Sequence, residues 1–121
     1  MIKNIQEKKE IEQNLQNFCG TSTYYKYLCN TSLTDGTKYL AEACGAFWLM
    51  DIIASYQKKF SHCPFQIWEL KITDRPKAVV TMKEDTDSPT LVKQEIEYTD
   101  FLLEEIKIYC ENSIIFLPSE Y

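Results

Sequence analysis

Glycine and proline are scarce in this sequence, at three Gly and four Pro among 121 residues. So few breakers leave no room for a long flexible linker or a low-complexity tract. No phosphate loop, dinucleotide fingerprint, HExxH or GxSxG motif is present, which removes the commonest nucleotide, zinc-protease and hydrolase signatures. The cysteines Cys19, Cys29, Cys44, Cys63 and Cys110 form no CxxC pair and fit no zinc spacing. Their odd number, with a Met1–Asn17 segment rich in Lys, Glu, Gln and Asn instead of an apolar leader, predicts reduced thiols in a cytoplasm. Basic clusters are also missing. The net charge is −5, which repels nucleic-acid phosphate and anionic lipid. No apolar run approaches the roughly 20 residues that a bilayer demands.

What is abundant is apolar and aromatic surface: 45% hydrophobic residues, with two Trp, eight Tyr and six Phe. That is enough to offset ordering entropy, and the length fits one domain over residues 1–121. A first helix is predicted from about Ile5 to Asn17, with Ile11, Leu15 and Phe18 on one stripe. Thr21–Leu33 reads as a linking segment whose Tyr24, Tyr25, Tyr27 and Leu28 pack across the mouth of the core. A second, long helix is predicted from Thr34 or Asp35, either of which can cap it, to about Phe60. Between Ala43 and Gln57 its only charged residue is Asp51, so it reads as a central helix buried on several faces.

From Phe65 the hydrophobic period changes to two. Strands are predicted over Phe65–Thr73, Lys77–Glu84, Thr90–Tyr98, a set around Ile106, Ile108 and Cys110, and Ile114–Leu117, with Glu111-Asn112-Ser113 as a hairpin signal. The expected fold is α+β: two helices against a five-stranded antiparallel meander with one solvated face.

Asp51 is the residue that most invites a chemical role. A carboxylate on a buried helix must be paired, hydrogen-bonded or protonated. One reading bonds it to a backbone N–H, a Tyr hydroxyl or a Lys. A second makes it a pocket acid or base, with Ser55 or Tyr98 assisting and Trp48 nearby. A third makes it an interface contact. Asp35 reads as a helix cap and Asp100 as a turn former. Both, with Trp48, are candidate binding positions. An acidic metal site from Asp35, Asp51 and Asp100 is not demanded by their spacing, so neither metal nor cofactor is expected. His62 and Cys63 are adjacent, and neighbouring loop side chains usually diverge, so they do not read as a nucleophile and base.

Leu33-Thr34-Asp35-Gly36-Thr37-Lys38-Tyr39-Leu40-Ala41-Glu42, Gly45-Ala46-Phe47-Trp48-Leu49, Asp51 and Ser55-Tyr56-Gln57 resemble the signature of a family of small uncharacterised bacterial and mobile-element proteins. Phe65-Gln66-Ile67-Trp68, Tyr98-Thr99-Asp100-Phe101 and Leu117-Pro118-Ser119-Glu120-Tyr121 are similar to its later blocks. Leu102 stands where that pattern has Pro, and Ser113 where its hairpin has Gly. The family is one of unknown function, so the resemblance implies domain boundaries and no activity.

The expected function is a non-enzymatic interaction module that associates with itself, as a homodimer, or with another protein. An accessory or inhibitor of a phage or plasmid fits this description. The alternative is a small-molecule binder or hydrolase with a pocket at Asp51 between the second helix and the sheet. Nucleic-acid binding through Tyr24, Tyr25, Tyr27 and Lys26 is chemically conceivable and opposed by the net charge.

Overall fold

A computed structural model describes residues 2–121, with side chains from residue 6 onward. Helix α1 spans Ile2–Gln16 and buries Ile11 and Leu15, one turn apart, against the core. The segment after it forms two short strands, β1 (Tyr25–Lys26) and β2 (Ser32–Leu33).

Helix α2 spans Asp35–Cys44. Thr34 caps it: its hydroxyl accepts the Thr37 N–H at 3.3 Å, and the Thr34 N–H donates to the Thr37 hydroxyl at 2.9 Å. Gly45 ends it in the left-handed conformation, at φ 60°, which glycine adopts without the Cβ penalty. Helix α3 then runs over Phe47–Ser55 and gives way to turns. The single long helix expected from Thr34 to Phe60 is therefore two helices. Gly45, within an otherwise continuous apolar pattern, is the residue that breaks it.

Five longer strands follow: β3 (Phe65–Asp74), β4 (Lys77–Lys83), β5 (Val92–Ile96), β6 (Glu105–Glu111) and β7 (Ile114–Phe116). They join β1 and β2 in a seven-stranded sheet of order β1-β2-β7-β6-β3-β4-β5. All pairs are antiparallel except β2 with β7. The expected five-stranded meander is thus corrected twice. Part of the Thr21–Leu33 linker extends the sheet, held by the Ser32 N–H on the Ser113 carbonyl at 2.9 Å. The chain also crosses over between β5 and β6, so that β3, the longest strand, lies near the middle. The crossover is anchored by buried Phe101 and Leu103 and by Arg75 Nη1 donating to the Phe101 carbonyl at 2.7 Å.

The two sheet faces differ as alternation requires. Trp68, Leu70, Val80, Met82, Ile108, Cys110 and Ile115 are buried in one core with Leu40, Ala41, Leu49, Met50 and Ile53 from α2 and α3. Each such fully buried large side chain contributes about 1.5–3 kcal/mol. The polar groups inside are paired. Gln57 and Gln66 exchange amide hydrogen bonds at 2.8 and 3.1 Å, and Trp68 Nε1 donates to Gln66 Oε1 at 2.9 Å.

Candidate binding site at the aromatic end of the sheet

On the opposite face, at the β7 end, aromatic residues gather: Phe116 is buried, and Phe65 and Tyr109 are half-buried. Register places Tyr109 opposite both Ile67 and Phe116, and Phe65 opposite Glu111. These side chains alternate with the core-facing Gln66, Trp68, Ile108 and Cys110, so they emerge on the outer face. Phe65 and Tyr109 meet edge to face at 5.0 Å between ring centroids. Tyr121, 77% exposed, closes over the group at 5.5 Å from Phe65 and 5.6 Å from Phe116. Edge-to-face and tilted geometries suit rings whose faces are negative and edges positive.

Tyr121 is held there by a hook. After a short 3₁₀ turn over Pro118–Glu120, Glu120 Oε1 accepts the Thr34 hydroxyl at 2.6 Å and the Leu117 N–H at 2.9 Å. Its Oε2 accepts the Gly36 N–H at 3.1 Å. A carboxylate at the first turn of α2 meets unsatisfied N–H groups and the positive end of the helix dipole. Gly36 is needed for this approach: a Cβ there would lie 2.6 Å from both Glu120 Oε1 and Leu117 Cδ1.

Beside the hook lies an open cleft of about 300 Å3, walled by Tyr24, Phe116, Tyr121 and Ile114 and lined at its polar side by Thr21, Thr34, Glu111, Asn112 and Glu120. The turn that forms one lip puts Asn112 at φ 52° and Ser113 at φ 63°, the left-handed pair of a tight two-residue hairpin.

The sequence-derived candidates are scattered. Asp51, expected to be buried, is exposed on α3, because the buried stripe of that helix is Leu49, Met50, Ile53 and Ala54. Its Oδ1 accepts a hydrogen bond from the Tyr27 hydroxyl, and the Tyr27 ring stacks on Phe47 at 6.2 Å. Burial raises the Tyr27 pKa, with the Asp51 hydrogen bond and charge adding to it. Ser55 is exposed and donates to the Ile52 carbonyl at 2.7 Å. Trp48 is half-buried. Tyr98, expected as the last residue of the strand from Thr90, lies beyond the end of β5 and is 74% exposed.

Asp35 does not supply the helix cap, which is Thr34. It ties the preceding loop down instead, accepting the Ser22 N–H at 3.0 Å, the Ser22 hydroxyl at 3.2 Å and the Tyr25 hydroxyl at 3.0 Å. The Ser22 backbone bond is the main cause of its lowered pKa. Asp100 is exposed, and the turn there is made by Thr99, whose hydroxyl accepts the Phe101 N–H at 3.1 Å. His62 is exposed while Cys63 is buried and donates to the Phe65 carbonyl at 3.3 Å. Among the described residues, no three His, Cys, Asp or Glu side chains come together to hold a metal ion.

Sequence reasoning missed Phe65, Tyr109, Phe116, Glu111 and Glu120. A signal existed for the aromatics. Phe65-Gln66-Ile67-Trp68 is apolar on both faces of its strand, and Tyr109 and Phe116 fall out of phase with the core set. For Glu120 only a tertiary contact reveals the role.

These features define an α+β domain with one helix-covered sheet face and an aromatic end on the other. Residues 9–121 match the model of the family of unknown function DUF6876, and the chain belongs to that family. No curated protein and no solved structure matches it. No helix among the described residues is long and apolar enough to cross a membrane.

Proposed function

We propose that this chain is a non-enzymatic interaction module that docks another protein at the aromatic end of its outer sheet face, where Tyr121 and Tyr24 are exposed. The observation that carries this reading is the cluster of Phe65, Tyr109, Phe116 and Tyr121 on the outer face, with Tyr24 exposed across the cleft. Tyrosine presents large apolar area and a polar tip at little entropic cost, and it is enriched among the residues that dominate binding energy. Here Tyr121 is also pinned by the Glu120 hook, so part of the ordering cost is met before any partner arrives. The acidic balance of the chain favours a basic partner surface.

The test is site-specific cross-linking in the native host. A photo-reactive phenylalanine in place of Tyr24 is expected to give a discrete protein adduct. One in place of Tyr98, more exposed than Tyr24 and outside the cluster, is expected to give none. Excess purified chain should compete the adduct away, and the same chain with Tyr121→Ser and Tyr109→Ser should not. Equal labelling from both positions, or competition by the altered chain, contradicts the reading.

A second reading, self-association, is favoured by the β5 edge. Val92-Lys93-Gln94-Glu95-Ile96 is self-complementary when paired antiparallel about Gln94: Lys93 falls opposite Glu95 of a second copy, and Val92 opposite Ile96. Light scattering tests it by charge exchange. Lys93→Glu should dissociate a dimer, and Lys93→Glu with Glu95→Lys should restore it. A monomer throughout the concentration series contradicts it.

A further inference from the structure

We propose that the cleft beside Tyr121 is a binding site for an alkylammonium ion. This rests on the reading of the aromatic end as the working surface and specifies the chemistry it accepts. Three aromatic walls, Tyr24, Phe116 and Tyr121, face a polar side that holds two carboxylates, Glu111 and Glu120, and among the described residues no Lys, Arg or His lines the cleft. Ring faces carry negative potential and attract a cation within about 6 Å of the centroid. Carboxylates add to that attraction, and the absence of any lining cation leaves it uncompensated.

The two acids have different tasks. Glu120 is engaged by the Thr34 hydroxyl and the Gly36 and Leu117 N–H groups, and it sits at the positive end of α2, so most of its charge is already answered. The Glu111 carboxylate accepts no hydrogen bond and joins no ion pair among the described residues. It is fixed at the end of β6 by the tight turn that follows, opposite Ile114. Glu111 therefore supplies the charge, and the rings supply the apolar, polarisable wall. An anion would meet two carboxylates here. A neutral apolar group would leave Glu111 partly desolvated without a partner, which is costly.

The same head group can come from a free amine such as choline or from a lysine side chain of a docked protein. The cleft is open to solvent and about 300 Å3 in volume, large enough for either. Because it is open, affinity for the isolated head group should be weak, with a dissociation constant on the order of 1 mM.

The experiment is an amide chemical-shift titration of the intact chain at constant ionic strength, with three probes. These are choline, Nα-acetyl-lysine methylamide, and 3,3-dimethylbutanol, the uncharged carbon analogue of choline. Saturable shifts confined to Thr34, Glu111–Ile114 and Tyr121 are expected with one or both cations and not with the alcohol. Choline alone would assign the site to a free cation, and the lysine derivative to a protein side chain. Glu111→Gln should weaken binding about fivefold while leaving shift dispersion unchanged, and Tyr24→Ala should weaken it comparably. Sodium chloride reproducing the shifts, the alcohol binding as well as choline, or Glu111→Gln binding normally would overturn the proposal. The cross-linking result at Tyr24 stands apart from these outcomes, so loss of the ammonium site would leave protein docking to be judged by its own test.

Discussion

Glu120 reaches back across 86 residues to place its carboxylate 2.6 Å from the Thr34 hydroxyl. This contact joins the capped start of α2 to the last turn of the chain. It sets the position of Tyr121 and hence the wall of the cleft. Two separate stretches, Thr34-Asp35-Gly36 and Leu117-Pro118-Ser119-Glu120-Tyr121, thus act as one structural unit.

Removing that unit has a defined cost. Glu120→Ala loses bonds to two N–H groups and one hydroxyl, and should destabilise the fold by about 2–3 kcal/mol. Gly36→Ala forces atoms apart where 2.6 Å is available and should cost about 1–3 kcal/mol. Because both expel the same tail, the double variant should be less destabilised than the sum of the singles. Urea unfolding of the four proteins measures this, and strict additivity would refute the coupling.

Ser113 occupies a left-handed position, φ 63°, in the β6–β7 turn. A side chain there costs roughly 1 kcal/mol relative to glycine. Ser113→Gly should therefore raise stability by about that amount, with a higher thermal midpoint. A loss of stability would show that the Ser113 side chain compensates locally.

The buried thiols make stability fall at alkaline pH. Burial pushes Cys44 from 9.0 up to about 11 and Cys110 up to about 12. Below pH 9 both thiols are protonated whether the chain is folded or not, so their contribution is fully present. Between pH 9 and about 11 the unfolded chain ionises while the folded one resists. Stability then falls by up to about 1.4 kcal/mol per pH unit for each thiol. Cys110→Ala should be less stable near pH 7 and show a shallower decline above pH 9. Parallel curves for the two proteins would contradict the sign and the cause.

Tyr27 and Asp51 form a local clasp between the loop and α3. Tyr27→Phe should cost about 1 kcal/mol. In Asp51→Asn the Tyr27 hydroxyl should ionise at lower pH, since the neighbouring negative charge that opposes its ionisation is gone. Site-resolved NMR of the tyrosine ring carbon reads this directly, and an unchanged titration would show the pair to be uncoupled.

The core was legible in the sequence and the aromatic outer face was not. Trp68, Leu70, Val80, Met82 and Ile108 alternate strictly, and that pattern reports which side of a strand meets the helices. Asp51 misled because a nearly uniform apolar helix has no marked polar side. The continuous reading ran through Gly45, whose left-handed conformation ends α2 and re-aims α3. The short strands Tyr25–Lys26 and Ser32–Leu33 are too brief to show a period. They exist because the β7 edge pairs with Ser32–Leu33, which in turn pairs with Tyr25–Lys26. The aromatic cluster draws Phe65 and Tyr109 from paired strands and Tyr121 from the tail, a convergence that register and the Glu120 hook create.

Affinity for a partner captured by that cross-linking, measured with the purified protein, tests the proposed docking surface most directly. Tyr121→Ala and Tyr24→Ala should each weaken binding at least tenfold, as expected when a central aromatic is truncated, while Tyr98→Ala should change it less than twofold. Equal affinities for all three variants, or a loss confined to Tyr98→Ala, would place the binding surface elsewhere on the molecule.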